Sequence, residues 1–328
     1  IVEGRWLMAN GRGRCVMAED PIPGLIDQVS GERLRADLYY LSKDPLPFRK
    51  LNYTRPGAGK CTLYEADDYI QSELEACGYA VEREGVTVQA FRCDTSKPKA
   101  QQFSPPMPED PEYTAYNLYA ERRGATDPAE VILLLAHKDS QSWVDSPGAN
   151  DNAVGTVGLM EIARILSGYE PERTIRFLFC NEEHRPWTSV TAAERARERG
   201  DNLVAIYNLD GLGRSTPEDR EAGRQTNVTV FTTDEGERFA DLMALVNETY
   251  GLGLVQRKHR RLNPGDDDGS FVNAGYTHAV LNIGSYPYGD PAYHTEQDVP
   301  ENVDLPNLAL ASKLSLAAAL WVDMKGAP

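Results

Sequence analysis

Val131-Ile132-Leu133-Leu134-Leu135-Ala136-His137-Lys138-Asp139 is the stretch that decides the fold. Six apolar residues in a row, with no polar alternation, read as a central strand covered on both faces. The run turns polar at its carboxyl end, where open α/β sheets bind their ligands. Two more segments repeat the form: Thr174 to Cys180 runs into Glu182 and Glu183, and Leu203 to Leu209 runs into Asp210. Further strands are predicted over Tyr116 to Glu121, Val228 to Thr233 and Ala279 to Ile283. Between them, helical periodicity spans Ala153 to Ser167, Ser189 to Arg199 and Glu235 to Tyr250, each followed by a glycine (Gly168, Gly200, Gly251), and Pro306 to Met324 closes the chain. Short apolar runs alternating with longer helices are the pattern of an α/β fold.

Upstream, Glu32 to Leu41 carries leucines at helical spacing, and Glu65 to Cys77 ends at Gly78. Val86 to Phe91 alternates like a strand, whereas Ser96 to Glu112 holds five prolines and reads as an irregular loop. Residues 1–20 show no periodicity and are expected to be a lead-in, disordered or processed; 21–328 are expected to form one domain. The 328 residues carry 34 Lys and Arg against 50 Asp and Glu, a net charge of −16. That balance argues against partners that need a basic footprint, nucleic acid and anionic membrane among them. The longest apolar run, Leu308 to Val322, is interrupted by Lys313 and falls short of the roughly 20 residues of a membrane helix, so a soluble chain is expected. Five cysteines at no metal-like spacing leave at least one thiol unpaired, and Cys180, at the end of a core strand, reads as packing.

Chemistry concentrates at the strand ends. His137 and Asp139, then Glu182 and Glu183, then Asp210 should converge on one crevice. Pro147-Gly148-Ala149-Asn150-Asp151-Asn152 forms a tight turn before a helix, where Asp151 is either an N-cap or a site residue. A loop after the last strand brings Tyr293, His294 and Asp298. Two imidazoles and several carboxylates suit zinc or a related divalent ion. One carboxylate bridging two ions, each completed by a histidine and an acid, would hold them about 3.5 to 4 Å apart. The cluster Arg257-Lys258-His259-Arg260-Arg261 reads first as ion pairing with Asp266 to Asp268, and second as a carboxylate-binding patch. Trp143 and Trp187 are candidates for the crevice wall.

With these motifs in hand, the chain resembles the M28 family of zinc aminopeptidases. The resemblance rests on Ala136-His137-Lys138-Asp139-Ser140, Pro147 to Ala153, Asn181-Glu182-Glu183, Asn208-Leu209-Asp210 and Tyr293-His294-Thr295. It implies a three-layer αβα sandwich of zinc exopeptidase type with a mixed, mostly parallel central sheet. It also implies two zinc ions, one on His137 and Asp210 and one on Glu183 and His294, bridged by Asp151. Glu182 would be the general base that takes a proton from the bridging water, Asp139 would orient His137, and Tyr293 would help stabilise the oxyanion. A cis peptide between Asp151 and Asn152 is implied as well. The chain departs from the family at His184 to Ser189, where the family has Gly-Leu-x-Gly-Ser. It departs again at Asp266-Asp267-Asp268-Gly269-Ser270-Phe271, where the family has Ser-Asp-His-x-x-Phe.

The function so implied is metal-dependent hydrolysis of N-terminal peptide bonds in small peptides with a free amino terminus. The alternatives are a glutaminyl-cyclase-like acyltransferase with one zinc, or a catalytically silent domain of the same fold. The resemblance favours a secreted or periplasmic setting over a cytoplasmic one.

Overall fold

A computed structural model describes Trp6–Ala9, Cys15–Ala18 and residues 20–328. Its strands in chain order are β1 (Trp6–Ala9), β2 (Cys15–Ala18), β3 (Glu82–Ala90), β4 (Arg92–Cys93), β5 (Phe103–Ser104), β6 (Glu112–Arg122), β7 (Asp127–His137), β8 (Arg173–Cys180), β9 (His184–Arg185), β10 (Asn202–Leu209), β11 (Thr226–Phe231), β12 (Val255–Arg260) and β13 (Ala279–Ile283). The α-helices are α1 (Ile22–Ile26), α2 (Gly31–Ser42), α3 (Thr62–Ala76), α4 (Val154–Leu166), α5 (Thr188–Arg199), α6 (Pro217–Glu221), α7 (Asp234–Thr249), α8 (Asp266–Asn273) and α9 (Leu305–Lys325). Within the lead-in, β1 and β2 pair antiparallel; the rest of that expectation lies outside the described residues.

Nine strands form one mixed sheet in the order β12-β11-β13-β10-β7-β8-β6-β3-β9. Its middle, β13-β10-β7-β8, is parallel, while β11 and β6 run antiparallel to their inner neighbours. The apolar run Val131 to Ala136 lies in β7, and its two faces enter different cores. Ile132, Leu134 and Ala136 pack with α2, α4, α7 and α9, whereas Val131, Leu133 and Leu135 pack with α5 and α8. Each buried Leu, Ile or Val contributes about 1.5–3 kcal/mol through loss of apolar surface to water. A sheet covered on both faces exposes function only at its strand ends.

Several elements differ from expectation. Helix α9 is long and apolar enough, by length and composition, to cross a membrane, contrary to the reading from Lys313; 67% of its apolar window is buried, and it serves as a core helix. The basic stretch Val255–Arg260 is the edge strand β12. Its charges are matched by acids that the sequence reading did not pair with it: Arg257 bonds Asp219, Lys258 bonds Glu237 and Asp241, and Arg260 bonds Asp234 and Glu237. Only Arg261 reaches the expected acids, Asp266 at 2.5 Å and Asp268 at 2.6 Å. Charged side chains on an edge strand also discourage pairing with another chain. The proline-rich loop is not wholly irregular: Lys99–Gln101 makes a 3-10 turn and β5 pairs with β4. Cys61, Cys77, Cys93 and Cys180 are free thiols.

Candidate metal and catalytic site

The crevice lies at the carboxyl ends of β7, β8 and β10. His137 is the last residue of β7, Glu182 and Glu183 follow β8, and Asp210 follows β10. Parallel neighbours in register make this convergence unavoidable, since His137 pairs with Cys180 and Leu135 with Asn208.

Asp151 sits at the centre of the cluster. Its Oδ1 lies 3.2 Å from His137 Nε2, and its Oδ2 lies 3.1 Å from His294 Nε2. Asp210 Oδ2 stands 3.7 Å from the same nitrogen of His137, and Glu183 Oε1 stands 3.5 Å from that of His294. Thus two sets, each of one imidazole and one carboxylate, share a single bridging carboxylate. His137, Asp151 and Glu183 form one group of ligand atoms within 4.8 Å of one another, and His137, Glu182 and Asp210 form another.

The Asp151 turn is over-determined by its surroundings. Gly148 has φ +60, and a Cβ there would meet Asp151 O at 2.6 Å, so the turn requires glycine. The peptide between Asp151 and Asn152 is cis, as the resemblance implies. Asp298 accepts the backbone N–H groups of Asn150 at 2.8 Å and Asp151 at 3.0 Å. Asn152, not Asp151, does the capping work: its Oδ1 accepts from Gly155 N while its Nδ2 donates to Leu209 O. Asp151 is thereby left free for the crevice.

Asp139 gathers the other side of the cluster. Its Oδ1 is 3.3 Å from His137 Nδ1 and accepts from Glu182 N; its Oδ2 accepts from Glu183 N and is 2.8 Å from His184 Nδ1. One buried carboxylate therefore fixes the His137 ring and the backbone of both glutamates. His294 is oriented differently, by the Ala100 carbonyl 2.9 Å from its Nδ1. That carbonyl comes from the proline-rich loop.

Three contributors escaped the sequence reading. Arg49 is fully buried and donates to the carbonyls of Lys138, Leu41, Pro147 and Gly148, tying the end of β7 to the Asp151 turn. Burial pulls its pKa down to about 10. Gln141 Nε2 donates to both Asp151 Oδ2 and Glu183 Oε1 at 2.9 Å. His184, seen only as a departure, is buried against Asp139. No spacing rule flags a lone arginine or glutamine, although a histidine in an otherwise small-residue motif was a usable signal.

The electrostatics are those of an acid-rich, buried cluster. Burial works against a charged His137, but Asp139, Asp151 and Asp210 outweigh it and raise its pKa well above the usual value. Burial likewise lowers that of His294, and Glu183 and Asp151 bring it up to about 10. Asp210 is pushed up to about 7, chiefly by burial. Glu182 is raised well above the usual carboxylate range by burial and then by Asp267 and Asp266. Asp210 Oδ1 and Glu182 Oε2 are buried without a hydrogen-bond partner, as are Gln141 Oε1 and Asp267 Oδ1. Cys180 is raised by burial and donates to Asp267, so it stays a thiol and is no nucleophile.

Tyr293 stacks on His294 with ring centroids 3.7 Å apart, and Tyr288 donates to Asp210 Oδ2 at 3.2 Å. Trp143, Trp187, Phe91 and Phe103 complete a cleft of about 170 Å³ above the cluster.

Comparison with known proteins bears on the family and the fold. The model of Peptidase family M28 matches residues 117–319, well over half of the chain. A probable zinc metalloprotease of Pyrenophora teres f. teres is 26% identical over 298 residues, covering 79% of this chain and 58% of its own length. The chain thus spans little more than half of that relative. Among solved structures, an aminopeptidase from Aneurinibacillus sp. strain AM-1 superposes with TM-score 0.68 at 15% identity, covering 92% of this chain and 96% of its own. A Bacteroides thetaiotaomicron glutaminyl cyclase superposes with TM-score 0.67 at 17% identity, covering 89% and 98%. These two likenesses show a common fold.

Proposed function

The chain belongs to peptidase family M28, and from that premise we propose that it is a zinc aminopeptidase that removes the first residue of small peptides. The observation that carries the proposal is the single carboxylate of Asp151 facing His137 with one oxygen and His294 with the other.

The residues fit a pair of divalent ions. Two imidazoles with three carboxylates are the mixed N/O donor set that suits zinc, and the unpartnered Asp210 Oδ1 is an oxygen that a cation would satisfy. Asp210 and His137 would hold one ion, Glu183 and His294 the other, with Asp151 shared. The chemistry such ions supply when bound is Lewis acidity toward a carbonyl and toward water.

The chain's own residues do the rest. Glu182 stands within 4.8 Å of His137 and Asp210 but makes no ion pair with either imidazole, and its Oε2 lacks a protein partner. A carboxyl so placed is suited to taking a proton from water and returning it to the leaving amine. Asp139 fixes the His137 ring so that Nε2 faces the cluster. The Tyr293 hydroxyl, on the cleft wall, serves the developing oxyanion. Asp210 and Asp266, the latter also paired with Arg261, line the cleft and favour the protonated α-amine of a peptide.

The cyclase alternative shares the fold, but the doubled arrangement about Asp151 supports a dinuclear centre. The silent-domain alternative is disfavoured because the five candidate ligands and the base stand together. Hydrolysis of paired free and N-acetylated aminoacyl anilides, with and without added zinc, tests the reading. Zinc-dependent cleavage of the free substrates, abolished by acetylation, is expected. Equal cleavage of the acetylated series would overturn aminopeptidase action.

A further inference from the structure

The cleft is divided by polarity, and a row of rings orders it. Tyr288, bonded to Asp210, stacks on Tyr293 at 4.4 Å, and Tyr293 stacks on His294. Beyond His294 come Trp143 at 5.0 Å and Phe103 at 5.9 Å. Phe91 lies past both, 5.6 Å from Trp143 and 5.9 Å from Phe103. One end of the row is therefore acidic, with Asp210 and Asp266, and the other is an aromatic wall.

We propose that Phe91, Phe103 and Trp143 form the subsite for the side chain of the residue that follows the scissile bond, and that they select an aromatic or bulky aliphatic group there. This rests on the aminopeptidase reading and adds a substrate preference to it. A peptide amine drawn to the acidic end places the scissile carbonyl over the Asp151 cluster. The first side chain branches from the carbon that bears the amine and stays at the acidic end. The main chain beyond the carbonyl runs the other way, past His294, and the second residue meets the aromatic wall.

The wall is held in place to receive a ligand. Phe103 keeps 38% of its surface exposed although it borders a buried cluster, so apolar area is available for burial on binding. Its loop is pinned to the site by the Ala100 carbonyl on His294, and within the loop Lys97 Nζ donates to the Phe103 carbonyl at 2.8 Å. Phe91 is fixed through its backbone N–H to the Ser142 hydroxyl at 2.9 Å, next to Trp143. Phe91 meets Phe103 and Trp143 edge-on, and those two meet at a tilt with centroids 5.4 Å apart, which leaves a wall suited to another ring.

The test is a set of dipeptide amides with one fixed N-terminal residue and Gly, Asp, Leu or Phe in second place, cleaved by the zinc-loaded full chain. Wild type is expected to favour Phe and Leu over Gly by about tenfold or more in kcat/KM, as apolar pockets discriminate. Phe103→Ala should bring that ratio below about threefold, and Phe103→Leu should restore part of it. Equal rates for all four by wild type, or an unchanged ratio in Phe103→Ala, overturn the subsite and leave the aminopeptidase intact. Failure of wild type to cleave any of the four overturns the aminopeptidase reading and the subsite with it.

Discussion

Asp298 accepts the backbone N–H of Asp151 at 3.0 Å, so a loop near the end of the chain aims the residue at the centre of the cluster. The same carboxylate takes the N–H of Asn150, and all three groups are buried. Asp298→Ala would strand two buried donors, each costing about 1–3 kcal/mol. The expected result is a loss of about 2–4 kcal/mol in urea unfolding together with zinc affinity weakened about 10- to 100-fold. An Asp298→Ala protein that binds zinc like wild type would contradict this role.

The two adjacent glutamates should separate cleanly. Glu182→Gln keeps the backbone N–H to Asp139 and removes no proposed ligand, so metal content should hold while turnover falls about 10²- to 10⁴-fold. Glu183→Ala should lose metal. Elemental analysis and anilide hydrolysis on both variants decide the matter, and equal metal loss would refute the assignment.

Arg49 offers a stability test remote from chemistry. Lysine cannot reproduce a planar fork that serves four carbonyls. Arg49→Lys should lower unfolding free energy by about 3 kcal/mol or more, since buried carbonyls are left without donors. A chemical denaturation midpoint equal to that of wild type would count against the clamp.

Alkali should destabilise the metal-free protein and leave the metal-loaded protein unaffected. Without metal, His294 titrates at about 10, because Glu183 and Asp151 outweigh its burial. A folded value above the ordinary imidazole value of about 6.5 stabilises fully below that pH, and the contribution is lost as pH rises through about 10. Ligation requires neutral imidazole, so zinc displaces this proton and removes the dependence. Thermal melts between about pH 7 and 10 should show the metal-free Tm falling while the zinc-loaded Tm holds. A flat metal-free profile would contradict the proton's role.

Much of the architecture is legible from apolar runs that end in polar residues. β7, β8 and β10 carry their site residues at their tips, and parallel register then forces His137, Glu182, Glu183 and Asp210 together. The edge strand β12 is hidden because its basic residues are stabilised by acids on α6 and α7 and show no apolar alternation. Helix α8 carries three aspartates in its first turn, two of which pair with Arg261, a contact that no local pattern reveals. Arg49, Gln141 and the double use of Asp139 depend on contacts between residues distant in sequence. The basic cluster shows the same limit: ion pairing is a sound expectation from charge, but its partners, Asp219 and the α7 acids, are set by tertiary packing.

Anomalous scattering at the zinc edge from zinc-loaded crystals would reveal a pair of ions bridged by Asp151. Two peaks are expected, about 3.5 to 4 Å apart, one beside His137 and Asp210 and one beside Glu183 and His294. A single fully occupied position, with nothing bound between His137 and Asp210, would contradict the account and favour a mono-zinc acyltransferase.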